Sequence, residues 1–129
     1  MSRNERRSVV LVVDDEAIIL WGTASLLESI GYTVIRATSA MDALAALRDE
    51  TVIDMLITDY QMPKMSGVEL AVVARQLRPA LPIVIATGDL TLNADACRSW
   101  ITLPKPFTRE ELADAVARAL SERQYDTSG

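Results

Sequence analysis

Five short runs of apolar, largely β-branched residues recur along this chain: SVVLVV at 8–13, YTVIRA at 32–37, VIDMLIT at 52–58, LPIVIAT at 81–87 and a brief WITL at 100–103. Between and after them the period changes from two to that of a helix. EAIILWGTASLLESIG (16–31) puts Leu20, Ala24 and Leu27 on one face, with Gly31 placed as a C-cap. SAMDALAALRD (39–49) opens on Ser39, a good N-cap, and sets Leu44 and Leu47 on one side. SGVELAVVARQLR (66–78) turns Leu70, Val73 and Leu77 inward and stops at Pro79. TREELADAVARALSER (108–123) begins with a Thr108/Glu111 capping box and repeats Leu112, Val116 and Leu120 every four residues. Strand–helix alternation of this kind implies a parallel sheet covered by helices on both faces, joined by right-handed crossovers. The runs at 9–13 and 83–86 are apolar without interruption, and that at 53–57 is broken only by Asp54, much as strands buried on both faces should be.

Composition removes several classes of function. At 129 residues the chain fits one α/β domain over 8–121, with polar, flexible ends at 1–7 and 122–129. A net charge of −5 without a basic stripe argues against a nucleic-acid surface. No apolar run approaches the roughly 18 residues that span a bilayer, so no membrane partner is expected. The basic start and short apolar run end on two acids, too soon for a secretion signal. The lone Cys97 cannot form an internal disulfide, which points to the cytoplasm. There is no histidine, and with it go histidine bases, histidine triads and most zinc sites.

In an open parallel sheet, ligands collect beyond the carboxyl ends of the strands. There the first strand gives Asp14 and Asp15, the third Asp59, the fourth Thr87 and Gly88, and the fifth Lys105. Singly, these read as helix caps, turn residues and a solvated lysine. Together they put three carboxylates, a hydroxyl and an ammonium at one edge. Clustered carboxylate oxygens suit a hard divalent cation, a carboxylate can attack phosphorus, and a lysine can neutralise a phosphoryl group.

The four stretches VVDDE, ITDYQMPKMSG, IATG and LPKPF, in this order, resemble the receiver (response-regulator) domain of two-component signalling over about residues 8–121. The resemblance implies a flavodoxin-like (βα)5 doubly wound sheet with strand order 2-1-3-4-5. It implies Asp59 as phosphoacceptor, with Mg²⁺ (or Mn²⁺) held by Asp14, Asp15, Asp59 and the backbone carbonyl of Gln61. It implies that Thr87, Gly88 and Lys105 stabilise the phosphoryl group and that the Lys105–Pro106 bond is cis. The partners it implies are a bacterial sensor histidine kinase or phosphotransfer protein upstream and a protein target downstream. Such a module is a monomer in a phosphorelay that catalyses only its own phosphorylation and slow dephosphorylation, and is not otherwise an enzyme. Gln61 and Asp89, two residues beyond Asp59 and Thr87, stand where they tune water access to the acyl phosphate.

Two features depart from that pattern. The position three before the lysine, usually aromatic, is Thr102; Trp100 lies two residues away and shares its face on a strand. The switch therefore involves Thr87, Thr102, Trp100, Lys105 and Pro106 without the usual aromatic. Lys105 follows Thr87 by 18 residues. The usual spacing is longer by about four, close to one helical turn. The fourth helix is thus expected to be lost or cut to a single turn, leaving a loop, with output through an order change around 87–105. Two alternatives remain: an Asp-nucleophile phosphatase of the haloacid-dehalogenase type, and a phosphorylation-independent binding module. The phosphatase needs an acid where Gln61 stands.

Overall fold

The computed structural model describes residues 7–88 and 100–128, with side chains through residue 122. Among these residues there are five strands and four helices, which alternate except that the fifth strand is the next described element after the fourth. The strands are β1 (Val9–Val13), β2 (Thr33–Ala37), β3 (Met55–Asp59), β4 (Ile83–Thr87) and β5 (Ile101–Pro104). The helices are α1 (Ala17–Ile30), α2 (Ala40–Arg48), α3 (Gly67–Leu77) and α4 (Arg109–Ser128). All the pairings are parallel and the order is β2-β1-β3-β4-β5, the flavodoxin-like arrangement.

Alternation along each strand divides the core into two layers. Leu11, Val13, Leu56, Ile83 and Ile85 pack under α2 and α3 with Leu44, Leu47 and Leu70. Val10, Val12, Met55, Ile57, Val84 and Leu103 pack on the other face with Leu20, Leu27, Leu112 and Val116. Local chemistry sets the helix ends. The Asp42 amide donates to Ser39 Oγ at 3.1 Å, and reciprocal capping boxes join Ser66 with Glu69 and Thr108 with Glu111. Gly31 closes α1 at φ +122°, a conformation costly for any residue with a Cβ, and its amide donates to Leu27 and Glu28 carbonyls.

One stripe differs from the expected one. α3 buries Gly67, Leu70, Ala71 and Ala74, whereas Leu77 is 38% exposed and Val73 lies at the rim. The two alanines let the helix lie close to the sheet, which rotates the buried face toward them and leaves Leu77 outside in the last turn. α4 continues to Ser128, past the expected domain boundary at 121. The expected loss of the fourth helix, together with Asp89, lies outside the described residues. No helix among the described residues is long and apolar enough to cross a membrane.

Two polar clasps close the sheet at the edge away from the strand ends discussed above. Buried Asp54 accepts the Val9 amide at 2.7 Å through Oδ2 and donates its own amide to the Val9 carbonyl at 2.8 Å. Arg78 donates to the carbonyls of Leu47, Asp49 and Thr51 at 2.8–3.1 Å, satisfying orphan acceptors at the end of α2.

Candidate functional site

β1 and β3 are neighbours, so their carboxyl ends deliver acids to one place. Asp14 is buried, its backbone tied by N–H donation to the Ala37 carbonyl at 3.2 Å. Its Oδ1 accepts the Glu16 amide at 2.9 Å and its Oδ2 accepts Lys105 Nζ at 3.2 Å. Asp15 is exposed. Asp59 ends β3 opposite Ala86, and the Tyr60 amide carries the ladder one step further by donating to the Ala86 carbonyl at 2.8 Å. Lys105 arrives from β5, its amide donating to the Thr87 carbonyl at 2.8 Å. Its Nζ lies 2.9 Å from Asp59 Oδ1, so one ammonium bridges two of the three acids. The Lys105–Pro106 peptide bond is cis.

One carboxylate oxygen from each of Asp14, Asp15 and Asp59 lies within 4.8 Å of the others. This all-oxygen donor set, with water access, is of the kind that could hold a hard cation such as Mg²⁺ and offers nothing to a soft one. In front of it opens a pocket of about 390 Å³ lined by Asp15, Asp59, Gln61, Thr87, Gly88 and Lys105, with Glu16 and Ile19 on its α1 side.

The charges oppose one another. Burial raises the Asp59 pKa, and the Asp14 and Asp15 charges add to it against the hydrogen bond and charge of Lys105. For Lys105 burial acts downward, but Asp59 and Asp14 outweigh it and the pKa is raised. The Asp59 shift is thus set first by burial, and the Lys105 shift by the two carboxylates that its ammonium bridges.

The fold therefore brings together Asp14, Asp15, Asp59, Gln61, Thr87, Gly88 and Lys105. It does not bring Trp100 or Thr102 to the pocket. Trp100 packs on the α2/α3 side beneath the Arg75 guanidinium, 5.3 Å from the ring centre, and half-buried Thr102 lies on β5 with no place in the pocket lining. Pro106 is exposed beside Lys105. Glu16 and Ile19 were not singled out by sequence. Their signal was position alone, since the residues following a strand-end acid open the next helix and rim the same site.

An acidic pocket at the switch of a doubly wound parallel sheet, bridged by a lysine from the last strand, defines the class. The family model for the response regulator receiver domain matches residues 10–117, and the chain belongs to that family. The transcriptional regulator NtrC of Salmonella typhimurium is 35% identical over 92% of this chain, which spans 26% of NtrC. The sensor kinase CckA of Brucella abortus is 31% identical over 90% of this chain, which spans 13% of it. A receiver protein from Sinorhizobium medicae superposes with a TM-score of 0.83 at 34% identity, covering 92% of this chain and 98% of the other. The chain thus spans about a quarter or less of these two longer relatives and nearly all of the solved receiver.

Proposed function

We propose that this receiver takes a phosphoryl group onto Asp59 from a phosphohistidine of a sensor kinase or phosphotransfer protein. The observation that carries the reading is the Lys105 bridge, which holds Asp59 Oδ1 at the mouth of a pocket shared with Asp15, Gln61 and Thr87. Asp14, Asp15, Asp59 and the Gln61 carbonyl are the residues that would hold Mg²⁺, which supplies positive charge to the phosphoryl oxygens. Asp59 Oδ attacks phosphorus, and an O–P bond forms as the P–N bond to the donor imidazole breaks. The bonding pair returns to the imidazole nitrogen. Lys105 exchanges carboxylate for phosphoryl oxygens, and the Thr87 hydroxyl binds another. Hydrolysis of the acyl phosphate then returns the carboxylate, with Gln61 and Asp89 set to govern the approach of water.

Signalling proceeds by a conformational or order change of the segment around 87–105, whose two ends, Thr87 and Lys105, are hydrogen-bonded at the site. Thr102 stands in place of the usual aromatic, so the change is relayed to a downstream protein without one. The protein acts as a cytoplasmic monomer, and Gln61, lacking an acid, disfavours a turnover phosphatase. The test is intact-mass and fluorescence measurement with acetyl phosphate or beryllofluoride, with and without Mg²⁺, on wild type and Asp59→Asn. Mg²⁺-dependent modification of wild type alone is expected. Equal modification of both proteins, or of neither, overturns the reading.

A further inference from the structure

A threonine hydroxyl is buried in the apolar core one residue before Asp59. Thr58 is fully buried on the face of β3 whose neighbours are Leu11, Val13, Leu56 and Ile85, where valine would fill the same space. A hydroxyl there costs free energy unless it is bonded. Its Oγ1 donates to the Asp59 carbonyl at 3.0 Å, with Met62 Sδ a weaker acceptor at 4.0 Å.

The same stretch of backbone is fixed at three further points. The Tyr60 amide donates to the Ala86 carbonyl and the Gly67 amide donates to the Tyr60 carbonyl, each at 2.8 Å. Gly67 also abuts this stretch so closely that a Cβ there would overlap the Asp59 carbonyl oxygen. Each of these groups meets the Asp59–Tyr60 backbone. They fix the peptide that carries the Asp59 carboxylate and that leads, two residues on, to the Gln61 carbonyl.

Resting on the phosphoacceptor reading above, we infer that Thr58 is a positioning residue, acting through the Asp59 carbonyl to set the Asp59 carboxylate and the Gln61 carbonyl for metal and phosphoryl binding. Gly67 is the stop against which that peptide rests.

The test measures Mg²⁺ affinity by calorimetry on the unmodified full chain, and the rate of modification by acetyl phosphate, for Thr58→Val and Thr58→Ser. Valine keeps the volume and removes the donor, so Mg²⁺ affinity and rate should fall about three- to tenfold, the effect of one lost hydrogen bond. The thermal midpoint should hold or rise. Serine keeps the donor and should stay within about twofold of wild type, even though it loses a methyl group and some stability. Wild-type affinity and rate in the valine variant would overturn the inference, as would a serine variant impaired as much as valine. If the valine variant does not fold, Thr58→Ala set against Thr58→Ser makes the same comparison. Because Mg²⁺ affinity is read without phosphoryl chemistry, it judges Thr58 even if Asp59 is not the acceptor. Failure of the acceptor reading shows separately, as equal modification of wild type and Asp59→Asn.

Discussion

Replacing Gly67 with alanine should destabilise the protein by about 2 kcal/mol, and the reason lies in three backbone atoms. An added Cβ overlaps the Asp59 carbonyl oxygen and stands 3.0 Å from both Asp59 C and Tyr60 Cα. A side chain could swing away, but these atoms are held by the Tyr60–Ala86 and Gly67–Tyr60 hydrogen bonds, each 2.8 Å. Relief requires the first turn of α3 to retreat from β3 by something like 1 Å. Overpacking of this kind costs roughly 1–3 kcal/mol, and weakening the Gly67 hydrogen bond adds about 1 kcal/mol. Alanine recovers roughly 0.4–1 kcal/mol by restricting the unfolded chain. For a domain of this size each kcal/mol is worth about 3–5 °C, so the midpoint should drop by roughly 6–10 °C. Urea unfolding should show a lower midpoint at an unchanged m-value. Gly22, inside α1 with nothing within 4 Å of its Cβ position, is the internal control. Gly22→Ala should stabilise by about 0.5–1 kcal/mol through helix propensity. A Gly67→Ala variant within about 0.3 kcal/mol of wild type, or a Gly22→Ala variant that loses as much, would refute the steric argument.

Three further outcomes are expected. The raised Asp59 pKa means that the native state holds this proton more tightly than the unfolded chain, so metal-free stability falls as pH rises from the ordinary carboxylate value through the raised one. Asp59→Asn should therefore have the higher thermal midpoint at pH 7 without divalent cations, with the gap closing below about pH 4, and added Mg²⁺ should favour wild type. Arg78→Ala strips donors from three carbonyls and should cost about 2 kcal/mol by urea unfolding, without altering Mg²⁺ affinity. Leu70→Ala should cost roughly 2–5 kcal/mol, while exposed Leu77→Ala should cost under about 1 kcal/mol in the same assay.

What was legible in the sequence was whatever depends on period and on strand ends. Alternating apolar runs are enough to call for a parallel sheet. The rule that ligands gather at carboxyl ends then brings Asp14, Asp15, Asp59, Thr87 and Lys105 together without any coordinates. The α3 stripe departs from its period at Leu77 because Ala71 and Ala74 carry little hydropathy of their own and reveal their burial only through close helix–sheet contact. Asp54 and Arg78 escaped notice for another reason. Their bonds join residues 27–45 positions apart in the chain, and nothing local marks a charged side chain as a clasp. Thr58 reads as an ordinary β-former until its hydroxyl is seen against the Asp59 carbonyl.

The two-sided burial of β1 has a consequence for folding fidelity. Val9–Val13 is apolar on both faces, so the in/out alternation that fixes the register of a one-sided strand is missing here, and the residues flanking the valines must help to set it. The polar groups beyond its two ends supply what the valines cannot. At one end, a slip would pull Val9 from the Asp54 clasp. At the other, it would shift Asp14 by roughly 7 Å and separate it from Asp59 and Lys105. A slipped sheet would therefore be unable to assemble the three-carboxylate cluster. A divalent cation bound there would favour the native alignment over a slipped one, so the same three carboxylates would tie the register of the sheet to the metal.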